Sequence, residues 1–498
     1  MTTKFNDLIF YEIYPTSFKD SNNDGVGDFK GISEKLDYVA SLGCNAIWLN
    51  PFYVSPFMDG GYDVADFFDV DPKFGKMKDF DKMLAKAHSL GIKIIIDLVV
   101  GHASEKNKDF LESAKPTRNE KSDLFIWNNC VWDFEQPYRL ISGRHQRNAC
   151  YMVNFFSGHP AFNYGFKEVK YPKWQMSYKD KRTFAAREYM INVAKFWLKK
   201  GVDGFRVDMA DSLVKEDEDK SATIEVWKYM FKSIHQEYPD AIFIAEWSNP
   251  QRAFEAGFDC DFVLDHWDNF YHRLVRSTDF SRGPSVFHGA EFEYFLTDIK
   301  ERFAIAKSKK KLLGIISGNH DSTRIANFLS EDELKLWYLI MYTLPGIPFL
   351  YYGDEIGMKH KDIDSKDGGY QRTADRTPMQ WDNSKNAGFS KTNKSLYLPV
   401  FNADQNTVES QVNDSNSLLN YIKDLISLRK NNSDLTSDAF DIKENHRIMT
   451  IKRGKLSSII NLSNTEVEVK NVLFSSKVKI EEPQKKYMLK PGDGVITN

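Results

Sequence analysis

Arg206 and Asp208 stand two residues apart in Gly204-Phe205-Arg206-Val207-Asp208, just after a helical pattern closes at Gly201. On a strand, residues two apart project from the same side. A guanidinium there holds its neighbour ionised at neutral pH, the state a carboxylate nucleophile needs. Alone, such a pair is more often a structural ion pair at a strand end. Here it has company. Asp97 and His102 end the apolar run 92–100, Glu246 follows Ile244-Ala245, and Asn319-His320-Asp321 follows the apolar run 312–316. The three carboxylates Asp208, Glu246 and Asp321, with two histidines and an arginine, form a set for cleaving glycosidic bonds. One carboxylate attacks the anomeric carbon, and a protonated one delivers a proton to the departing oxygen.

Those residues need elements that bring them together. The chain repeats a strand-then-helix rhythm, with strands expected at 9–14, 45–49, 92–100, 204–207, 241–245, 262–264, 312–316 and 348–351. Helices are expected over 32–42, 80–90, 183–200, 222–237, 292–306, 332–343 and 417–430, several closed by glycine. The apolar runs suit strands covered on both faces, as in a parallel sheet. Eight of them with intervening helices argue a (β/α)8 TIM barrel, in which functional residues gather at the C-terminal ends of the strands. Every residue named above falls at such an end. The interval 101–203 is far longer than its neighbours, so 102–170 reads as an inserted subdomain, leaving 1–101 and 171–433 to the barrel. In 434–498 short alternating segments at 448–452, 456–462, 467–472 and 477–480, closed by Pro491-Gly492-Asp493-Gly494, read as an all-β sandwich.

Composition narrows the partners. A net charge of -3 gives no footing for nucleic acid or an anionic membrane. The four cysteines, Cys44, Cys130, Cys150 and Cys260, are scattered without ligand spacing and read as reduced thiols. No run approaches a membrane span, and the polar start has no apolar signal core, so a cytoplasmic protein is expected. A monomer is compatible with all of this. Aromatic residues make up 14% of the chain, which suits a sugar cleft but suits an aromatic core equally.

Taken together, four short regions resemble the α-amylase superfamily, glycoside hydrolase family 13: Asp97-Leu-Val-Val-Gly-His102, Gly204-Phe-Arg-Val-Asp208, Ala245-Glu246-Trp247 and Asn319-His-Asp321. The resemblance implies Asp208 as nucleophile, Glu246 as general acid/base and Asp321 as the third carboxylate, gripping ring hydroxyls. It implies that His102 and His320 bind the same sugar, that Arg206 orients Asp208, that Asp97 braces the site, and that the α-anomer is retained. The finer resemblance is to the oligo-1,6-glucosidase and α-glucosidase branch. It is carried by Tyr11-Glu-Ile-Tyr-Pro-Thr-Ser-Phe18, Gly61-Tyr62-Asp63-Val64, Tyr352-Gly-Asp-Glu355 and Arg376-Thr-Pro-Met-Gln-Trp381. By that likeness Tyr62 stacks on a terminal glucose, while Asp59 and Arg376 close the pocket behind it and make the enzyme exo-acting. Transglucosylating or isomerising relatives share these residues, and an endo-acting amylase remains a third reading. A barrel kept only as a scaffold fits poorly with three retained carboxylates.

The loop Asp20-Ser-Asn22-Asn-Asp24-Gly-Val26-Gly-Asp28 has oxygen side chains at alternate positions and a turning glycine. That is the front half of an EF-hand-like calcium loop, without the distal glutamate. The branch carries a matching calcium loop, implying a structural Ca2+ held by Asp20, Asn22, Asp24, Asp28 and the Val26 carbonyl. An Asx-rich turn without metal is the alternative, and no organic cofactor is expected. Gly101 and Ala161 stand where calcium-dependent α-amylases place Asn and Asp ligands, so that second metal site is not expected. Met209 stands at a position that separates linkage preferences in the branch. Its bulk leans towards α-1,6 bonds.

Overall fold

The computed structural model describes residues 5–132, 138–264, 269–276, 284–364, 366, 372–401 and 406–498. Eight strands close into a parallel barrel: β1 (Phe10–Ile13), β2 (Ala46–Leu49), β3 (Lys93–Val99), β4 (Gly204–Asp208), β5 (Ile242–Ala245), β6 (Cys260–Val263), β7 (Leu312–Ile316) and β8 (Ile347–Tyr351), with β8 paired to β1. The TIM barrel expected from the strand-helix rhythm is therefore present. Both faces of nearly every strand are buried, which is why the strands read as apolar runs rather than alternating ones. Register sets the chemistry: Asp97 of β3 lies opposite Arg206 of β4, and Val99 opposite Asp208. In-register neighbours on adjacent strands share a face, so an arginine and an aspartate meet inside the barrel.

Helices α1 (Phe29–Leu42), α2 (Met77–Ser89), α3 (Phe184–Lys200), α4 (Ser221–His235), α5 (Pro250–Ala256), α6 (Glu293–Lys309), α7 (Glu331–Thr343) and α8 (Leu418–Asn431) alternate with these strands. Asp28 caps α1 by accepting the Gly31 amide, and Gly43 ends it at φ 93°. Gly201 ends α3 at φ 105°, as its place in the sequence requires. The short helix α5 was not expected, because seven residues are too few to show a helical period. Its signal was Asn249 as cap and Pro250 in the first turn.

Two excursions leave the barrel on the side of the strand C-termini. After β2 comes a hairpin of Tyr53–Val54 and Asp66–Val70, whose connection carries Asp59 and Tyr62. After β3 comes a segment with a three-stranded antiparallel sheet, Cys150–Met152 lying between Trp127–Asn128 and Leu140–Ile141. A small core of Ile126, Ala161, Phe166 and Trp174 supports it.

The C-terminal region is all-β. One antiparallel sheet runs Asp441–Asn445, Ile448–Arg453, Leu456–Asn461, Gly494–Thr497, Val472–Ser475, and a second pairs Val467–Val469 with Tyr487–Leu489. Val469, Val472, Leu489 and Val495 form a core shared by the two. The strand expected at 477–480 does not form. Val472–Ser475 takes the place beside Gly494–Thr497, and residues 477–479 are exposed, alternating in sequence but without an edge to join. Pro491–Gly494 leads into a strand rather than closing the domain.

Among the described residues no helix is long and apolar enough to cross a membrane. All four cysteines are free thiols.

Two buried arginines hold the junction of α7 and β8, one from α8 and one from the C-terminal sheet. Arg429 of α8 donates to the carbonyls of Tyr342, Leu344 and Gly346 at 2.7–2.9 Å. Arg453 donates to Thr343, Leu435, Ser437 and Ala439, so the carbonyl end of α7 is capped from the C-terminal sheet. Replacing Arg453 with Met strands these buried acceptors. The expected loss is about 2–4 kcal/mol, read from urea denaturation at unchanged m-value.

Candidate active site

Arg206, 1% exposed, is the hub of the barrel mouth. Its Nη1 donates to Asp97 Oδ1 at 2.6 Å and to Asp208 Oδ1 at 3.1 Å, and its Nη2 pairs with Glu246 Oε1 at 2.7 Å. Burial works against the guanidinium charge. Asp97, Glu246 and Asp208 outweigh it and hold the group charged. Asp97 is a brace: its Oδ2 accepts the Trp48 indole N–H at 2.8 Å, and its carbonyl accepts the Tyr53 hydroxyl.

Asp208 is the last residue of β4 and Glu246 the first beyond β5. After Asp208 the chain turns at Met209, whose φ of 42° lies in the left-handed region that side chains avoid. That turn aims the Met209 amide at Glu246 Oε2, 2.8 Å away. A local strain of this kind persists where surroundings over-determine it, commonly in functional sites. Burial, then the charge of Glu246, push the Asp208 carboxyl well above its ordinary range, against the pull of Arg206. Three carboxylates meeting on one arginine are costly to ionise together.

A second cluster lies across the mouth. His320 Nδ1 is 2.8 Å from Glu12 Oε1, and Nε2 is 2.7 Å from the Tyr62 hydroxyl and 3.3 Å from Asp321 Oδ2. Burial lowers the His320 pKa, but Asp321 and Glu12 more than reverse this and raise it to about 9. Protonated His320 donates to Tyr62, whose own proton is then free for Asp97 Oδ2 at 3.4 Å. Arg376 donates to Asp321 Oδ1 at 2.6 Å and to the His320 carbonyl at 2.8 Å. The Asp321 side chain is 32% exposed, open enough to meet a ligand.

The hairpin loop closes against Arg376. A Cβ on Gly60 would come within 2.1 Å of Arg376 Nη1, so only glycine lets the loop approach so closely. The Tyr14 hydroxyl donates to the Gly60 carbonyl, and the Arg376 guanidinium lies 5.2 Å from the Tyr14 ring centre. Asp63 accepts the Ser55 hydroxyl and the Met58 and Asp59 amides, which shapes the turn presenting Asp59. Asp59 Oδ2 lies 3.7 Å from His159 Nε2.

His159 stacks on His102 with ring centres 4.3 Å apart. Both are buried, and burial holds His102 well below the usual histidine range, hence neutral. Lys215 joins the segment after β3 to the barrel: its Nζ donates to Asn154 Oδ1 at 2.9 Å and to the Ser212 carbonyl at 2.7 Å. Asn154 Nδ2 in turn donates to the Gly101 carbonyl. Burial lowers the Lys215 pKa to about 8.

The 20–28 loop lies apart from these clusters. Asp20 accepts the Asn22, Asn23 and Gly25 amides and the Ser390 hydroxyl, and Asp28 accepts from Ser21 and Gly31. Asn22 accepts the Asp24 amide, and Asp24 the Val26 amide. The donors are hard oxygens of the type calcium takes, already engaged by loop amides. Among the described residues no group of three His, Cys, Asp or Glu is gathered closely enough to hold a metal.

The structure thus brings Asp97, Arg206, Asp208 and Glu246 into one cluster and Tyr62, His320, Asp321 and Arg376 into a second that Tyr62 links to the first. His102 and Asp59 stand beside them with His159. Sequence reasoning missed Glu12, Asp63, His159 and Lys215 as members of the site. Glu12 had a signal, an acidic residue inside the apolar strand β1.

A family model described as the alpha-amylase catalytic domain matches residues 12–438. The chain is 32% identical over 480 residues to a trehalose synthase/amylase of Mycolicibacterium smegmatis, covering 86% of this chain and 76% of that protein. It is 30% identical over 542 residues to an alpha-glucosidase of Apis mellifera, covering 95% and 88%. Among solved structures, a trehalose-6-phosphate hydrolase of Bacillus licheniformis aligns with a TM-score of 0.80 and 24% identity over 99% of this chain and 98% of that one, a likeness of fold.

The His320 pKa of about 9 stands above its unfolded value of 6.5. Its contribution to stability is therefore complete below pH 6.5 and lost as pH rises through about 9. Nitrogen-15 NMR of labelled imidazoles should find the ring charged at pH 7.5. Stability of His320→Gln should vary less than wild type between pH 6.5 and 9. A neutral ring at pH 7.5 contradicts the assignment.

Proposed function

The chain belongs to the alpha-amylase catalytic-domain family of enzymes acting on glycosidic bonds, and from that premise we propose a retaining, exo-acting α-glucosidase of short oligosaccharides. The observation that carries this reading is Arg206 held between Asp97, Asp208 and Glu246. One guanidinium pairs with both Asp208 and Glu246, and the reading takes Asp208 as the ionised nucleophile and Glu246 as the acid. Asp208 then attacks the anomeric carbon as Glu246 gives its proton to the departing glycosidic oxygen, leaving a glucosyl ester on Asp208. In the second step Glu246 takes a proton from water, the water oxygen bonds to the anomeric carbon, and the ester bond to Asp208 breaks. Asp321, His320 and His102 bind ring hydroxyls, and they act most strongly on the flattened transition state.

Exo action is supported by the contact of the Asp59–Tyr62 loop with Arg376 across Gly60, which on this reading would close one end of the pocket. The bulk of Met209 beside Asp208 leans the reading towards α-1,6 bonds. A second reading is α-glucosyl transfer or isomerisation, favoured by the likeness to a trehalose synthase/amylase. It uses the same carboxylates and differs in what replaces water at the second step.

Product analysis on maltose, isomaltose, trehalose, sucrose and starch separates these readings. Glucose from disaccharides with little from starch is the expected result. New disaccharides without net glucose indicate transfer or isomerisation. Maltooligosaccharides from starch with disaccharides untouched indicate an open, endo-acting cleft and refute the roles of Asp59 and Arg376. Asp208→Asn should lower kcat at least about a thousand-fold with sugar binding retained, since it removes the nucleophile and little volume.

For the 20–28 loop we propose a structural calcium ion held by Asp20, Asn22, Asp24, Asp28 and the Val26 carbonyl, exchanged for part of the amide network described above. Exhaustive chelation should lower Tm by several degrees, restored by calcium and not by magnesium. An unchanged Tm with no calcium by elemental analysis assigns the loop as a metal-free Asx turn.

A further inference from the structure

We propose that Asp261 is a positioning residue for Glu246, holding the backbone that carries the acid where the barrel sheet has ended. The proposal rests on the reading of Glu246 as general acid/base. Ala245 and Asp261 are the last paired residues of β5 and β6, so Glu246 and the residues after it have lost their ladder on that side. Asp261 replaces the ladder with a side chain. Its Oδ1 accepts the Trp247 amide at 3.2 Å and the Ser248 amide at 3.0 Å. Asn249, next in line, caps α5 through the Arg252 amide.

The turn so held is a forced one. Ser248 has φ 56°, the left-handed region, without being glycine. Its carbonyl is gripped from the other side by Arg302 at 3.2 Å, and Arg302 is itself fixed by Asp298. Amides to Asp261 and carbonyl to Arg302 leave the turn one direction in which to leave the barrel. Glu246 meets its own partners only if that direction is kept: Oε1 on Arg206 and Oε2 on the Met209 amide.

Asp261 is fully buried, with an Oδ2 that finds no hydrogen-bond partner among the described residues. It therefore does not reach a substrate. Burial pushes its carboxyl up to about 8, and its Oδ1 still serves as an acceptor in the neutral form. An acid kept inside an apolar strand at such a cost needs a reason, and the three residues after β5 supply one.

The test compares Asp261→Ala, Asp261→Asn and Glu246→Gln on two substrates, the glucoside cleaved fastest and α-glucosyl fluoride, whose leaving group needs no proton. Both are read as kcat/KM, which ends when the leaving group departs and so leaves out the later base step of Glu246. Glu246→Gln should lose the glucoside and largely keep the fluoride. Asp261→Ala should lose about 10- to 100-fold in kcat/KM on the glucoside, a fraction of a full general-acid contribution, and at most about threefold in kcat/KM on the fluoride. Asp261→Asn, which keeps the Oδ1 acceptor, should return the glucoside rate to within a few-fold of wild type. If Asp261→Ala does not fold, Asp261→Ser replaces it with the same expectation. Equal losses on both substrates, or no loss, overturn the proposal while leaving Glu246 as the acid. Glu246→Gln equally impaired on both substrates overturns the acid/base reading itself, and the role of Asp261 falls with it.

Discussion

Everything at the barrel mouth depends on one buried positive charge meeting more negative charge than it can neutralise. Buried Arg206 touches Asp97, Asp208 and Glu246, and there each unmatched charge is worth several times what it is at a surface. Burial and the charge of Glu246 raise the Asp208 carboxyl, which makes protonation a structural variable of the cluster. The second cluster follows the same logic in another form. Protonated His320 supplies the charge that Glu12 and Asp321 lack, and Tyr62 links the two centres through hydrogen bonds in one direction.

The fold serves this arrangement through register and through close approach. The β3–β4 register puts Asp97 beside Arg206, and a shift of one residue would turn one of them out of the barrel. The turns at Met209 and Ser248 then spend backbone strain on placing amides and acids. Strain here and at the carboxylates is supported by the stability of a barrel whose strands are buried on both faces.

Much of this was legible in the chain. The eight barrel strands read as apolar runs because each is covered on both sides, and their C-terminal ends pointed to Asp97, Asp208, Glu246 and Asp321. Less legible were partnerships made across the barrel. Glu12 pairs with His320 from β1, more than three hundred residues earlier in sequence, and no local pattern announces that. Asp63, His159 and Lys215 act through loops whose path follows from packing rather than periodicity. The strand expected at 477–480 failed for a related reason. Alternation describes a segment, while a strand needs a free edge, and Val472–Ser475 had taken it.

The Lys215 link has a consequence of another kind. It places a cation at the seam between the segment after β3 and the barrel, bound to Asn154 and the Ser212 carbonyl. A cation that is part of the polypeptide has no dissociation constant. Its occupancy does not depend on dilution, so this seam is assembled once, during folding.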